Sequence, residues 1–178
     1  MVFEFASTAK MIIPGAGISC FACSEANMAY ISKLIGFQII SYDKINQLRH
    51  VKYMQSKAHA IEIVQRQAKQ LRPKFDAVIS ALEHEAAPRK LAKWHTPKGG
   101  YFVSCSVMPG CAKRTIELCK EAGVVMAKAG STFPYGIAPQ DSHVRIAPTR
   151  PSVEEITQAM AIFCVSLRLA ALELRKPQ

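Results

Sequence analysis

Val2-Phe3-Glu4-Phe5-Ala6-Ser7-Thr8-Ala9-Lys10 reads as an apolar strand that runs into a short Ser/Thr turn and presents one lysine there. Pro14-Gly15-Ala16-Gly17 follows, a breaker cluster that turns the chain back. A lysine at a strand-to-loop corner suits Schiff-base chemistry. That chemistry needs an amine held still and partly desolvated, so that it can be neutral. Most lysines are solvated surface charges, so the reading rests on what the rest of the chain adds.

Working outward, residues 2–7 are expected as a buried strand and residues 17–23 as a second. Ser24 is placed to cap a helix from Glu25 to about Leu34, which Gly36 ends. Asp43 is placed to cap a helix carrying Ile45, Leu48 and Met54. Ile61, Val64, Ala68, Leu71, Phe75, Val78 and Leu82 keep helical spacing from Lys57 to Glu85, with Pro73 expected to kink or divide the run. Residues 86–98 read as a loop. Gly99–Val107 is the clearest strand, and Pro109-Gly110 turns it into a helix from about Cys111 to Ala122. Val124–Met126 reads as a short strand, residues 128–142 as a long irregular loop, and Val144–Ala147 as a strand. Ser152, with Glu154 and Glu155 behind it, caps a last amphipathic helix to about Leu174. The fold class is α/β: helices over a small mixed sheet.

A chain of 178 residues, 49% of them apolar, is large enough for a real core. The net charge of +10 raises nucleic acid or an anionic surface as partners. The basic residues are scattered along helical stretches without interleaved aromatics, so solvated helix faces are the better account, and no nucleic-acid partner is expected. No secretory signal is read, since Glu4 and Lys10 interrupt the first segment. No apolar run is read as long enough to span a membrane. The six cysteines (20, 23, 105, 111, 119 and 164) then suggest a reducing, cytoplasmic setting with free thiols. Cys20-Phe21-Ala22-Cys23 has CxxC spacing. Zinc needs a second ligand pair, which the sequence lacks, and core or near-core thiols are favoured over a redox motif.

Three further stretches carry chemistry. Trp94-His95-Thr96-Pro97-Lys98-Gly99-Gly100-Tyr101-Phe102-Val103 sets a Gly pair before an aromatic strand. Ala129-Gly130-Ser131-Thr132-Phe133-Pro134-Tyr135-Gly136 is a Gly/Pro-bounded loop with hydroxyls. It leads to Val144-Arg145-Ile146-Ala147-Pro148-Thr149, an arginine between apolar strand residues. Such an arginine needs an anionic partner, which is either a structural carboxylate or a ligand.

Together with Ser24-Glu25-Ala26-Asn27, Asp43–His50, Leu71-Arg72-Pro73-Lys74-Phe75 and Gly110–Arg114, these stretches occur in one familiar order. The chain resembles the carboxy-terminal part of type I fold pyridoxal-phosphate aminotransferases, in particular the bacterial aspartate aminotransferase-like subgroup with an STSK-type lysine motif. The resemblance implies pyridoxal 5'-phosphate as cofactor, with Lys10 as the Schiff-base lysine and proton carrier. It makes Ser7 a cofactor-phosphate ligand and Arg145 the binder of the substrate α-carboxylate. It implies an amino acid and a 2-oxo acid as substrates and a homodimer in the complete form. Residues 1–42 would then be the remnant of a large cofactor-binding domain lying upstream, and residues 43–178 the small domain. The alternative is a non-catalytic docking module. Ala9 stands where the subgroup has Ser, Ile18 where the superfamily has a phosphate-binding arginine, and Lys128 where Pro is common.

Overall fold

The computed structural model describes residues 2–13 and 15–175. Pro14, part of the expected breaker cluster, lies outside the described residues. The chain divides into two compact units, Met1–Gln67 and Ala68–Gln178. Residues 43–67 fall in the first of these units.

In the first unit, β1 (Glu4–Ser7) pairs antiparallel with β2 (Ser19–Ala22), with Glu4 opposite Ala22 and Ser7 opposite Ser19. The expected burial of residues 2–7 is not observed: β1 is exposed along its length, and Phe5 is 78% exposed. A two-stranded ribbon has no second layer of its own to cover an apolar face. Helix α1 (Glu25–Gln38) runs through Gly36 rather than ending there, and the Ser24 side chain makes no capping bond. Helix α2 (Lys44–Met54) starts as expected, with Asp43 Oδ1 accepting the Asn46 N–H at 2.9 Å.

Helix α3 (Lys57–Ala81) passes through Pro73 as one helix, where a kink or division was expected. It ends in a π-helical turn, Leu82–Ala86, with the Ala87 N–H bonded to the Leu82 carbonyl at 2.9 Å. The second unit carries a three-stranded sheet: β3 (Ala92–Trp94), β4 (Val103–Val107) and β5 (His143–Ile146), in the order β3-β4-β5. The α/β class is as expected, but the sheet is antiparallel throughout rather than mixed. The sequence reading placed β3 in a loop. Three residues carry too little periodicity to read, and the strand exists through its pairing with β4, Ala92 opposite Val107. The expected strand at Val124–Met126 does not form. The Val124 N–H is spent on the Cys119 carbonyl at 2.8 Å, closing helix α4 (Ala112–Glu121).

Helix α5 (Val153–Arg175) begins with a reciprocal capping box. The Glu155 N–H donates to Ser152 Oγ at 3.1 Å, and the Ser152 N–H donates to Glu155 Oε2 at 2.7 Å. By length and composition α5 is long and apolar enough to cross a membrane, contrary to the sequence reading, which weighed only uninterrupted apolar runs. Its Ile156, Met160, Phe163, Cys164, Leu167, Ala170 and Ala171 are buried in the core of this unit. They share that core with Val78, Leu82, Val103, Cys105, Val144 and Ile146. Burial alternates along β4 and β5, so Val103, Cys105, Val107, Val144 and Ile146 face inward. Ser104, Ser106, His143 and Arg145 take the opposite face.

All six cysteines are free. Cys105, Cys111, Cys119 and Cys164 are buried, whereas Cys20 is exposed and Cys23 half-buried, so the CxxC pair is not core. Burial pushes the Cys105 thiol up to about 12 and the Cys164 thiol to about 11, against an ordinary value of 9.0. The unfolded chain therefore gives up thiol protons that the folded chain keeps. This stabilisation is complete below pH 9 and drains away as pH rises from there toward 12. Urea unfolding midpoints should fall between pH 9 and 11, and Cys105→Val should flatten the slope. At pH 8 a thiol reagent should modify Cys20 and Cys23 quickly and the other four only on unfolding. Equal reaction of all six would contradict the described core.

Candidate functional site

The first candidate group sits on the turn between β1 and β2. The Thr8 carbonyl accepts the N–H groups of Met11 (2.9 Å) and Ile12 (3.1 Å), which wraps the backbone around Lys10. Thr8 and Ile18 close the base of the loop, with the Thr8 N–H on the Ile18 carbonyl at 2.9 Å and the Ile18 N–H on Thr8 Oγ1 at 2.9 Å. Ser7 Oγ accepts the Ala9 N–H at 3.1 Å. Gly17 lets the two arms of the loop close, because a Cβ there would stand 2.5 Å from Ala9 Cβ and 2.6 Å from Ala9 Cα. Lys10 itself is exposed. The first unit thus fixes the backbone that carries the amine.

The second candidate group lies on the outer face of β4 and β5 in the other unit. Val144 and Ile146 are buried to either side of Arg145, which is half-buried opposite Ser104. The Arg145 guanidinium lies over the Phe102 ring, 4.6 Å from its centroid. Its Nε is buried with no hydrogen-bond partner. Among the described residues no carboxylate lies within ion-pairing distance of it. The structural-carboxylate alternative, open on sequence alone, therefore finds no partner here.

Beside Arg145 is an open cleft of about 350 Å³ lined by Phe102, Ser104, Thr132, Phe133 and His143. The His143 ring is held at both nitrogens, with Nε2 2.9 Å from Ser104 Oγ and Nδ1 3.0 Å from Thr132 Oγ1. Phe133 packs edge-on against the same ring, at 5.9 Å between centroids. Gly130, at φ +79°, lets the 129–136 loop fold tightly, since a Cβ there would meet the Gly136 carbonyl oxygen at 2.5 Å. The loop hydroxyls noted in the sequence are therefore not all loose, because Thr132 is tied to β5 through His143.

The family model described as "Aspartate amino-transferase" matches residues 1–178. The chain belongs to the aspartate aminotransferase family. A Mycolicibacterium smegmatis protein, provisionally named an aminotransferase, is 43% identical over 169 residues, covering 95% of this chain and 40% of that protein. The aspartate aminotransferase of Corynebacterium glutamicum is 38% identical over 171 residues, covering 96% of this chain and 40% of its own length. The chain thus spans about 40% of the length of the curated relatives it matches. The crystal structure of a Corynebacterium glutamicum aspartate transaminase superposes with a TM-score of 0.88 at 37% identity, covering 96% of this chain and 40% of that one. The α-aminoadipate aminotransferase LysN of Thermus thermophilus, at 19% identity and a TM-score of 0.76, shares the fold.

Ser7 and Lys10 lie on one unit and Arg145 on the other. Sequence reading missed Thr8, Asn46, His50, Ser104, Thr132 and His143 as individuals. The alternation of a strand could have found His143, two residues before Arg145 and so on its face. The pairing of His50 with Thr8 spans 42 residues and leaves no local signal.

The tightness of the loop at Gly17 gives a direct test. Gly17→Ala should destabilise the first unit by about 1–3 kcal/mol through overpacking against Ala9. Amide exchange should quicken at Met11, Ile12 and Ile18, with Val103–Val107 unchanged. A variant with wild-type exchange at those three amides would show that the loop yields without cost.

Proposed function

We propose that this chain carries the lysine-bearing and carboxylate-binding part of a pyridoxal-phosphate-dependent aminotransferase. The reaction moves an amino group between an amino acid and a 2-oxo acid. The observation that carries the reading is Arg145, half-buried and facing an open cleft, with no partner for its buried Nε and no carboxylate in ion-pairing distance among the described residues. Leaving a guanidinium so placed without an anion costs stability, which a transient carboxylate ligand offsets. The fork of a guanidinium holds a carboxylate at two points and so fixes the orientation of the substrate backbone.

The residues present fit the cofactor at the β1–β2 turn. Ser7 Oγ accepts the Ala9 N–H, which leaves its own O–H free to donate to a phosphate oxygen. Lys10 stands three residues later on a backbone fixed by Thr8. Pyridoxal phosphate, when bound, supplies the electron sink for the transfer. Lys10 Nζ would hold the cofactor and, once displaced by the incoming substrate amine, would take up and return the proton at the substrate α-carbon. Arg145 orients the α-carboxylate, and Ser7 anchors the phosphate. The same reading implies a homodimer for the complete enzyme, and the free thiols suit a reducing cytoplasm.

Two measurements test it. Incubation with pyridoxal phosphate, reduction with borohydride and mapping by mass spectrometry should place the adduct on Lys10; labelling spread evenly over surface lysines sinks the assignment. In an active enzyme carrying this segment, Arg145→Lys should lower kcat/KM for every amino-acid donor alike, by about 2–5 kcal/mol for loss of a bidentate charged pair. Unchanged kinetics, or a loss confined to one donor, refutes the role given to Arg145.

A further inference from the structure

We infer that His50 is the positioning residue of the Lys10 turn, acting through the Thr8 hydroxyl. The inference rests on the reading of Lys10 as the cofactor lysine. His50 is 1% exposed, in a unit where few side chains are buried. A buried imidazole is retained at a cost unless its polar atoms are paired, and here both are.

The direction of each bond follows from the acceptors. His50 Nδ1 is 2.9 Å from the Asn46 carbonyl oxygen, one helical turn earlier in α2. A carbonyl can only accept, so Nδ1 carries the proton. In the neutral ring Nε2 is then an acceptor. It lies 2.9 Å from Thr8 Oγ1, whose single O–H donates to it over the more distant Ile18 carbonyl oxygen at 3.4 Å. The same Thr8 oxygen accepts the Ile18 N–H. One directed chain of bonds therefore runs from the β2 end of the loop, through Thr8 and His50, into the backbone of α2. A second tie joins the same helix to the loop, with Asn46 Nδ2 donating to the Ala16 carbonyl at 3.0 Å.

The two ties act on opposite arms of the segment that carries Lys10. Thr8 is engaged through all its polar groups: N–H to Ile18, carbonyl to Met11 and Ile12, hydroxyl between Ile18 and His50. The hydroxyl of its neighbour Ser7, among the described residues, is bonded only by the Ala9 N–H. The two adjacent hydroxyls thus divide the work. Thr8 sets the shape of the turn, and Ser7 keeps its O–H for a ligand. A leucine at position 50 fills similar space but offers Thr8 no acceptor. Glutamine restores one in the place of Nε2.

The test compares the 178-residue chain with Thr8→Val, His50→Leu and His50→Gln. It reads amide exchange at Met11, Ile12 and Ile18, and the share of pyridoxal phosphate trapped by borohydride on Lys10 against Lys57 and Lys113. Thr8→Val and His50→Leu should speed exchange at those amides by about tenfold, the scale of one lost hydrogen bond. They should cut the Lys10 share by roughly threefold or more, within the same scale. His50→Gln should restore both readouts, and exchange in Val103–Val107 should stay put throughout. Wild-type protection and labelling in His50→Leu overturns the inference, as does a His50→Gln variant as damaged as His50→Leu. If the wild type shows no preference for Lys10, the cofactor reading fails instead. The exchange readout then still decides whether His50 holds the turn.

Discussion

The core shared by Phe163 and Leu167 of α5 with Val103, Cys105 and Val144 decides which side of the sheet Arg145 can occupy. Strand alternation leaves no freedom once one face is buried. With Val144 and Ile146 turned in, His143 and Arg145 stand together on the other face, opposite Ser104 and Ser106. A slip of one residue in β5 would bury the guanidinium under α5 and expose two aliphatic side chains. Arg145 is therefore placed by packing that it does not itself join.

The lysine-bearing turn is specified differently. Among the described residues no large apolar cluster surrounds it, and β1 and β2 are exposed almost throughout. Its shape comes from hydrogen bonds converging on Thr8, from the absence of a Cβ at Gly17, and from one buried histidine. Bonds of this kind each contribute about 1 kcal/mol net, but they are directional, so they define a conformation more sharply than they stabilise it.

What could be read beforehand follows the same division. Helices with clear periodicity or a capping signature were legible: Asp43 and the Ser152–Glu155 box start their helices as expected. Gly36 and Pro73 misled, because the helix around each outweighs one unfavourable residue. β3 depends on pairing with β4, and the exposure of β1 depends on what lies above it, which no local pattern encodes. Lys10 and Arg145 stood out because they sit at a corner and between apolar neighbours, and Ser7 only through the family resemblance. His50 and His143 did not, since their partners, Thr8, Ser104 and Thr132, come from distant points of the chain.

The stacking of Arg145 on Phe102 has a thermodynamic consequence. A free arginine side chain has about 2 kcal/mol of rotamer entropy to lose when it grips a ligand. With the guanidinium carbon already over a ring and its Nε buried, part of that disorder is gone before any ligand arrives. For the carboxylate ligand proposed for Arg145, more of the intrinsic ion-pair strength would then appear as affinity, the receptor being shaped in advance rather than assembled around the anion.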